Sequence, residues 1–443
     1  MESRLLLVGL LFSLLACKKA PPPPVDVYTP PKVEDIVMYE LFPRSFSEDG
    51  TLDAVTERLD ELQDLGINCI WLMPIYPVGE AKSMPPLGSP YSVRDFKAIS
   101  PEYGDTSDFR ALIEAAHARG IAIILDFVAN HTAWDHPWIT QHPEMYTQDG
   151  NGNIVIPPGT NWQDVADLNF DHGPTRDSII AAMQWWVETF DIDGYRCDYA
   201  EGVPVDFWSN CLATLESDRD LIMLAEGEAR NLLTDGGFDI AFSWTLYDRM
   251  GLAFSGARSA DWPGYWAGIE KDRDPAGTYR LRMVTNHDKV SFEELPVHYY
   301  QSYDGIRSAA VALTYMPGVP MLYNGQEVGS QQRLNLFSDT PLNWDDPRGF
   351  RGFYTQLYEL YQQFPELRTG GYTYFDQRLE VMLFERVGNE RSLVVCNVRN
   401  TEVTVARPTE WQGPALKDQF TGNAFTGDSL TLAPYQYLLL REN

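Results

Sequence analysis

Positive charge is scarce in this chain of 443 residues, and lysine is its rarest source. Only 8 of the 34 Lys and Arg residues are lysine, and they face 63 Asp and Glu residues, which gives a formal net charge of −29. Nucleic-acid binding requires a basic surface that displaces counterions, and a polybasic membrane surface requires clustered cations. We therefore expect neither nucleic-acid binding nor a polybasic membrane-binding surface, whereas the charge is compatible with a neutral ligand. An acidic, lysine-poor surface suits either high salt or secretion.

Cysteine is also rare, and its spacing matches no metal-ligand pattern. The five residues are Cys17, Cys69, Cys197, Cys211 and Cys396. Cys69 and Cys197 fall inside apolar, strand-like runs, where a cysteine typically acts as a small buried side chain. The sequence therefore predicts no disulfide framework.

The apolar run at the N-terminus, Leu5–Leu15, is too short to span a bilayer. It ends in Leu-Leu-Ala-Cys17, which resembles the signal of bacterial lipoproteins, where the cysteine is lipidated and becomes the mature N-terminus. An ordinary secretory signal is the alternative. We predict a signal peptide over 1–16 and a semi-rigid tether over 17–34, which contains four consecutive prolines. The protein is then exported and attached by its lipid to the bacterial cell envelope, at the outer membrane or cell surface.

The remainder of the chain is 44% hydrophobic overall and alternates short apolar runs with amphipathic stretches, as packed α/β domains do. The predicted strands are Ile36–Phe42, Ile67–Met73, Ile121–Val128, Ile192–Cys197, Leu221–Ala225, Phe238–Trp244, Leu281–Thr285 and Val319–Tyr323. The helical patterns between them include Leu52–Leu65, Asp108–Arg119, Arg176–Phe190 and Ile306–Tyr315. Eight strand–helix units over about 330 residues predict a (β/α)8 TIM barrel over 35–366. A doubly wound sheet is the alternative, but no glycine-rich phosphate loop supports it.

Two further segments interrupt or follow the barrel pattern. Residues 131–172, after the third strand, show no helical pattern and predict an inserted domain B at the functional end of the barrel. Its aromatic residues either stack on a ligand or pack the segment; they are Trp134, Trp138, Tyr146 and Trp162. Residues 367–443 contain short strands with polar turns, which predict a C-terminal antiparallel β-sandwich.

Carboxylates lie at or just after the C-terminal ends of four predicted strands. They are Asp126, Asp198, Glu226 and Asp288. The C-terminal ends of barrel strands converge on one pocket, so we expect these groups to lie together. A single acid at a strand end commonly caps the next helix, but four such acids with Arg196 and His287 at fixed offsets are unlike a set of caps.

Carboxylates buried together acquire different pKa values, which can leave one protonated and another ionised at neutral pH. Cleavage of a sugar acetal needs this combination, because one carboxylate attacks while one carboxylic acid protonates the leaving oxygen. Side chains alternate along a strand, so Arg196 shares a face with Asp198 and would keep that carboxylate ionised.

These stretches, in this order, resemble the α-amylase family of glycoside hydrolases (family 13). The matching motifs are Asp126-Phe-Val-Ala-Asn130-His131, Asp167-Leu-Asn169, Gly194-Tyr-Arg196-Cys-Asp198, Glu226 after an apolar strand, and Asn286-His287-Asp288. Each motif alone is weakly specific, whereas the ordered set is specific, and the resemblance covers about residues 34–443. The family's enzymes retain anomeric configuration through a covalent glycosyl-enzyme.

The resemblance implies a role for each matched residue. Asp198 corresponds to the catalytic nucleophile, Glu226 to the general acid/base and Asp288 to the third carboxylate, which holds sugar hydroxyls. Four residues correspond to substrate-binding positions: Tyr91, His131, Arg196 and His287. Asp126 is expected to support the site rather than to react.

Two departures from the family pattern matter. Amylases of the family often follow the nucleophile with a Lys-His pair that binds substrate and calcium, and here Glu201 and Gly202 stand there. Asn130 and Asp167 resemble two oxygen ligands of that calcium, but a calcium site needs about 6–8 oxygens. No cofactor is therefore expected to be required, with calcium an open option. Tyr199, where related subgroups carry a smaller residue, leaves α-1,4 against α-1,6 preference undecided.

Three functions are compatible with these residues. The first is a retaining hydrolase of α-glucosidic bonds in starch-derived α-glucans or malto-oligosaccharides. The second is a transglycosylase or isomerase on α-glucosides, since a sugar can replace water in the second step. The third is a non-catalytic glycan-binding lipoprotein, which predicts a lost carboxylate, and none of the three is lost. Oligomeric state does not follow from the sequence.

Overall fold

A computed structural model describes residues 28–217 and 219–442, and in it the eight predicted runs form one closed parallel barrel. We number its strands β1 to β8: Met38–Leu41, Cys69–Leu72, Ala122–Phe127, Gly194–Cys197, Ile222–Ala225, Ile240–Ala241, Tyr279–Met283 and Val319–Tyr323. Each strand pairs with its neighbours in the chain, and β1 pairs with β8. The prediction of a (β/α)8 barrel is confirmed, and the open doubly wound sheet is wrong. The predicted signal peptide and Cys17 lie outside the described residues.

Side chains alternate between the inside and the outside of the barrel along each strand. The inward positions nearer the N-terminal ends of the strands form one apolar cluster: Met38, Cys69, Trp71, Ala122, Ile124, Ile222, Leu224, Ile240, Leu281, Met283, Val319 and Met321. The same alternation continues to polar residues at the C-terminal ends: Glu40, Asp126, Arg196 and Glu226. The apolar part fills the barrel, and the polar part lies at its mouth.

Helices surround the barrel and connect its parallel strands. They are Pro43–Phe46, Leu52–Glu57, Leu59–Asp64, Thr106–His117, Trp138–Gln141, Gly173–Phe190, Val205–Leu215, Arg230–Thr234, Trp244–Phe254, Asp261–Arg273, His287–Phe292, Pro296–Tyr299, Tyr303–Tyr315, Phe350–Gln363 and Pro365–Thr369. Single-turn 3-10 helices occupy Val33–Asp35, Pro143–Met145, Ala200–Gly202, Gln326–Val328 and Thr409–Trp411. The predicted helix Leu52–Leu65 is interrupted at Arg58, whose guanidinium donates to the Phe46 carbonyl and lies 3.9 Å from the centre of the Trp344 ring.

The segment after β3 pairs with itself at the mouth of the barrel. His131–Ala133 and Val165–Asp167 form an antiparallel pair in which His131 faces Asp167. The chain then enters the helix Gly173–Phe190, which starts three residues before the predicted Arg176 because Pro174 is accommodated in its first turn. The limits 131–172 stay a prediction.

The C-terminal region contains eight short strands, β9 to β16. They are Gly371–Tyr374, Val381–Val387, Arg391–Asn397, Val403–Ala406, Leu416–Asp418, Ala424–Phe425, Ser429–Leu432 and Tyr437–Glu442. Six form one sheet in the order β9-β10-β11-β16-β13-β14, and β12 pairs with β15 in a second. Apolar residues of both sheets share one cluster around the buried Trp411. The predicted antiparallel β region is confirmed, while its limits, 367–443, stay a prediction.

Two observations concern the described residues as a whole. Between residues 28 and 442, with residue 218 left aside, none of the helices combines the length and the apolar character that crossing a membrane requires. The four cysteines in this part of the chain are buried with free thiols.

Candidate active site

The mouth of the barrel is organised around one buried arginine, Arg196. Its register on β4 places it directly opposite Asp126 on β3, and its side chain is fully buried. Nη1 lies 2.8 Å from Asp126 Oδ1 and 2.8 Å from Asp198 Oδ1, and Nη2 lies 2.9 Å from Glu226 Oε2. We call these four residues the Arg196 cluster. It contains three carboxylates and one guanidinium, so it carries excess negative charge when fully ionised.

The pKa values of the two predicted catalytic carboxyl groups of this cluster, Asp198 and Glu226, are shifted toward neutral pH. Burial raises the pKa of Glu226 to about 7; Arg196 opposes this shift and Asp198 adds to it. Burial also raises the pKa of Asp198, to about 6, against the opposing effect of Arg196. Arg196 offsets only part of the effect of burial on Asp198, and the order of the two pKa values leaves Asp198 the more ionised group at neutral pH.

A strained turn after β4 aims one further donor at Glu226. Tyr199 has a φ of 42°, in the left-handed region that residues other than glycine rarely occupy. In this conformation its backbone N–H donates to Glu226 Oε2 at 2.7 Å. Backbone strain of this kind persists where surrounding structure enforces it, and here it positions a carboxyl group.

Asp126 is held as a fixed partner of Arg196 rather than exposed for reaction. Its second oxygen, Oδ2, accepts hydrogen bonds from Trp71 Nε1 and from the Tyr91 hydroxyl, each at 3.1 Å. The Asp126 side chain is fully buried. This geometry agrees with the supporting role expected for Asp126.

The second part of the site is built at the end of β7. Asn286 caps the helix His287–Phe292 by accepting from the Lys289 N–H at 3.0 Å, which places His287 and Asp288 in the first turn. His287 Nε2 lies 3.0 Å from the Tyr91 hydroxyl and 3.4 Å from Asp288 Oδ1. The Asp288 side chain is 36% exposed, the most open of the three predicted catalytic acids.

His287 and His131 differ in charge although both are buried. Burial lowers the pKa of His287, but the carboxylates of Asp288 and Glu40 outweigh it and the pKa rises to about 9. Glu40 accepts a hydrogen bond from the Nδ1 side of the His287 ring. Burial lowers the pKa of His131 to about 4. At neutral pH the site thus presents an imidazolium beside Asp288 and a neutral imidazole on the opposite side.

Trp162 is the aromatic residue of the inserted segment that lies at the site. Its ring centre is 5.5 Å from that of His131 and 5.1 Å from that of Tyr199. The other three pack the segment: Trp134 lies under the Lys82 ammonium, Trp138 beside His136, and Tyr146 is buried. The packing role thus fits these three residues, while stacking on a ligand stays a prediction for Trp162.

All seven predicted site residues lie around the mouth of the barrel; their individual roles stay predictions. Sequence reasoning missed Glu40 and Trp71, which hold His287 and Asp126. Glu40 interrupts an apolar strand at an inward position, and a buried acid inside such a run was the available indication.

Calcium is the metal that the family resemblance implies, and the side chains do not fit it well. Asn130 lies 3.3 Å from His131 Nδ1 through its amide nitrogen, and Gly202 contributes no side chain. Among the residues that the structure describes, no group of three His, Cys, Asp or Glu side chains could hold a metal ion. Two oxygen ligands fall short of the six to eight that calcium takes. No step of the chemistry below involves calcium.

The described fold and site agree with known proteins. Residues 40–151 match the family model "Alpha amylase, catalytic domain". Alpha-amylase MalA of Haloarcula japonica is 30% identical over 422 residues, which cover 90% of this chain and 61% of that protein. An α-1,4-glucan:maltose-1-phosphate maltosyltransferase of Cereibacter sphaeroides is 35% identical over 216 residues, which cover 43% of this chain and 32% of the transferase.

A solved structure extends this likeness to the whole fold. The crystal structure of an α-amylase from Lactobacillus plantarum superposes with a TM-score of 0.85 at 26% identity and covers 93% of this chain and 99% of that one. This chain spans only 61% of the length of MalA from Haloarcula japonica. A likeness that runs over at least 90% of the chain, in sequence and in fold, makes this protein a member of the α-amylase family of glycoside hydrolases (family 13).

Proposed function

We propose that this protein is a retaining glycoside hydrolase that cleaves α-glucosidic bonds in starch-derived α-glucans or malto-oligosaccharides. The observation that carries the proposal is the pairing of Asp198 and Glu226 on one guanidinium, with pKa values of about 6 and about 7. At neutral pH this pair supplies both an ionised nucleophile and a protonated acid, which a double displacement requires.

The reaction follows from this arrangement in two steps. Asp198 attacks the anomeric carbon while Glu226 gives its proton to the leaving oxygen, so the glycosidic bond breaks and a glycosyl-enzyme forms. Glu226, now ionised, takes a proton from water, which attacks the same carbon and releases Asp198. Asp288 and His287 stand where they can hold sugar hydroxyls. We predict that the Asp198 and Glu226 carboxyl groups are about 5–5.5 Å apart, the separation typical of retaining enzymes.

The test is hydrolysis of maltoheptaose by the wild type, Asp198→Ala and Glu226→Gln proteins. We expect the wild type to release sugar whose first-formed anomer is α, read by proton NMR before mutarotation, and both variants to lose almost all activity. Equal release by all three proteins would show that another site reacts, and a β anomer would show inversion. Amylose, pullulan, maltose and sucrose as further substrates would assign linkage and chain length.

A second candidate, a transglycosylase or isomerase at the same site, is favoured by the match to the maltosyltransferase. The glycosyl-enzyme is common to both reactions, and only the acceptor differs. Products made from maltoheptaose with a large excess of maltose distinguish them. Products longer than the substrate, formed faster than free reducing sugar, support the transferase. Transfer of the glycosyl group to water or to a sugar would each exclude a purely glycan-binding protein.

We also propose that the protein is exported and anchored in the cell envelope by a lipid on Cys17. The support is the sequence Leu-Leu-Ala-Cys17 after a short apolar run. Expression in a bacterial host with labelled palmitate should give a labelled, membrane-bound protein, whereas Cys17→Ser should be unlabelled. A labelled Cys17→Ser protein, or an unlabelled wild type released from the cells, would contradict the anchor.

A further inference from the structure

Glu201 occupies a position that the resemblance assigns to substrate or calcium binding, yet its contacts are of another kind. It lies three residues after Asp198, in the 3-10 turn Ala200–Gly202. Its Oε1 accepts hydrogen bonds from two consecutive backbone N–H groups, those of Glu228 and Ala229, the second at 2.6 Å. These two groups belong to the loop that leaves Glu226.

The loop after Glu226 is shaped to receive this carboxylate. A Cβ on Gly227 would lie 2.5 Å from Glu201 Cγ and 3.0 Å from its Oε1, so the Glu201 side chain lies directly over Gly227. A second link joins the same two segments, because the Ala200 N–H donates to the Glu226 carbonyl at 2.9 Å. Hydrogen bonds therefore join the turn that follows Asp198 to the loop that follows Glu226, at the Glu226 carbonyl and at the N–H groups of Glu228 and Ala229.

We propose that Glu201 is a positioning residue for Glu226. A carboxylate that accepts two N–H groups forms charge-assisted hydrogen bonds, which are stronger than neutral ones. They fix the direction in which the chain leaves Glu226, and hence the approach of its carboxyl group to Arg196 and to the Tyr199 N–H. Without them the loop can relax, and displacements of the order of 1 Å at a catalytic group cost up to about 100-fold in rate.

The proposal rests on the proposed role of Glu226 as general acid, and the alternative is that the exposed Glu201 contacts substrate directly. The two differ in their dependence on the leaving group. A positioning residue for the acid matters when the leaving oxygen needs a proton and matters little when it does not. A contact with the maltosyl group, which both substrates carry, contributes equally to both. A contact with the leaving glucose of maltotriose affects that substrate alone but leaves the pKa of Glu226, and hence the alkaline limb of the pH profile, unchanged.

The experiment compares Glu201→Ala and Glu201→Gln on maltotriose and on α-maltosyl fluoride, whose leaving group needs no proton. We expect Glu201→Ala to lower kcat on maltotriose by about 10- to 100-fold, and on the fluoride by less than about threefold. Glu201→Gln keeps an Oε1 acceptor and should stay within about threefold of the wild type on both substrates. The alkaline limb of the Glu201→Ala profile should also move to higher pH, because Arg196 and the Tyr199 N–H lower the pKa of Glu226.

Gly227→Ala perturbs the same contact from the other side, because the added methyl group would lie 2.5 Å from Glu201 Cγ; it would also lie 2.7 Å from Leu232 Cδ1, on a backbone with a φ of 159°. It should therefore lower the rate on maltotriose at least as much as Glu201→Ala does. Glu188→Ala, at an exposed position of the helix Gly173–Phe190, is the matched control and should leave both rates unchanged. Thermal unfolding of each variant checks that it is folded.

Three results would overturn the proposal. They are a raised KM with unchanged kcat in Glu201→Ala, an equal loss on both substrates, and a loss in Glu201→Gln as large as in Glu201→Ala. Inactivity of the wild type on both substrates would instead refute the proposed function. Failure of the positioning role and failure of the enzyme are therefore distinguishable.

Discussion

Two clusters of buried charge lie on the two sides of the barrel wall, and they differ in their balance of charge. The Arg196 cluster inside the barrel joins one cation to three carboxylates. The second, which we call the Arg282 cluster, lies between β7 and the helix Asp261–Arg273 and contains Arg280, Arg282, Glu270 and Asp274. Arg282 pairs with Glu270 at 2.7 Å and Arg280 with Asp274 at 2.6 Å.

The difference in balance appears in the pKa values. Burial raises the pKa of Asp274 too, but Arg280 and Arg273 outweigh it and the pKa lies below its ordinary value. The pKa values of Asp198 and Glu226 are raised, because one guanidinium is shared among three acids. Burial alone therefore does not mark a functional acid. An excess of buried acid over buried base does, since it keeps a proton available near neutral pH.

The largest effect is expected for Asp198→Asn, which keeps the shape of the side chain and removes the nucleophile. Activity on maltoheptaose should fall by at least about 10⁴-fold, as for other covalent catalysts. The free energy of unfolding, measured in urea, should change by less than about 1 kcal/mol or rise, because Asp126 still pairs with Arg196. A protein that lost stability together with activity would mean that the Arg196 cluster is structural.

Glu270→Gln makes the same exchange of carboxylate for amide in the Arg282 cluster. Arg282 would then be buried without its anion, so the free energy of unfolding should fall by about 3–5 kcal/mol. The kcat of the folded protein should stay the same, since Glu270 lies outside the barrel mouth. Urea titration and steady-state kinetics at a permissive temperature check both. A stable Glu270→Gln protein with altered kcat would remove the contrast between the clusters.

The pH profile is the next consequence. Below about pH 6 Asp198 becomes protonated and cannot attack, and above about pH 7 Glu226 loses the proton that the leaving group needs. We therefore expect kcat/KM to describe a narrow bell with its maximum between these values. On α-maltosyl fluoride, whose leaving group needs no proton, the wild type and Glu226→Gln should both show the acid limb without the alkaline limb. An alkaline limb that persists in Glu226→Gln would belong to another group.

The two clusters should also respond to pH with opposite sign in stability. The raised pKa of Glu226 gives stability that is fully present below its unfolded value of about 4.5 and is lost as pH rises through about 7. The lowered pKa of Asp274 gives stability that is present above its unfolded value of about 3.8 and is lost as pH falls through the folded value. Comparison of wild type, Glu226→Gln and Asp274→Asn across pH 3–8 separates these contributions.

The acids of the Arg196 cluster were predictable because each one follows an apolar strand, and a barrel brings strand ends together. The side chains that hold the site residues in place were harder to predict from the sequence. Glu40 and His287 are 247 residues apart and meet because β1 closes against β8 with a particular register, which no local pattern specifies. The direction of the Glu201 side chain depends on a single turn and on the missing side chain of Gly227.

The C-terminal region shows a different limit. Its strands Leu416–Asp418 and Ala424–Phe425 are three and two residues long, too short for a period-two pattern to be recognised. Leu416–Asp418 pairs with the edge of Tyr437–Glu442, and Ala424–Phe425 pairs in turn with Leu416–Asp418, so tertiary pairing rather than local propensity forms them. The sequence predicts a strand over Val381–Arg386, and the observed strand, Val381–Val387, is long enough to be recognised and ends one residue later.

The smallest expected effects come from a matched pair of hydroxyl deletions. Tyr91 donates to Asp126 Oδ2, which keeps the Trp71 indole N–H when the hydroxyl is removed; Ser243 donates to Glu270 Oε1, which keeps the indole N–H of Trp266. Each deletion removes one buried donor, worth about 1 kcal/mol.

Because the first deletion also frees His287 Nε2, Tyr91→Phe should lower kcat/KM by about tenfold as well as the free energy of unfolding by about 1 kcal/mol. Ser243→Ala should lower the free energy of unfolding by about the same amount and leave kcat/KM unchanged. The value of kcat/KM therefore distinguishes the two deletions, because the excess acid lies in one cluster and not in the other. If Ser243→Ala lowered kcat/KM as much as Tyr91→Phe, the barrel wall would transmit strain between the clusters, and charge balance would not separate their functions.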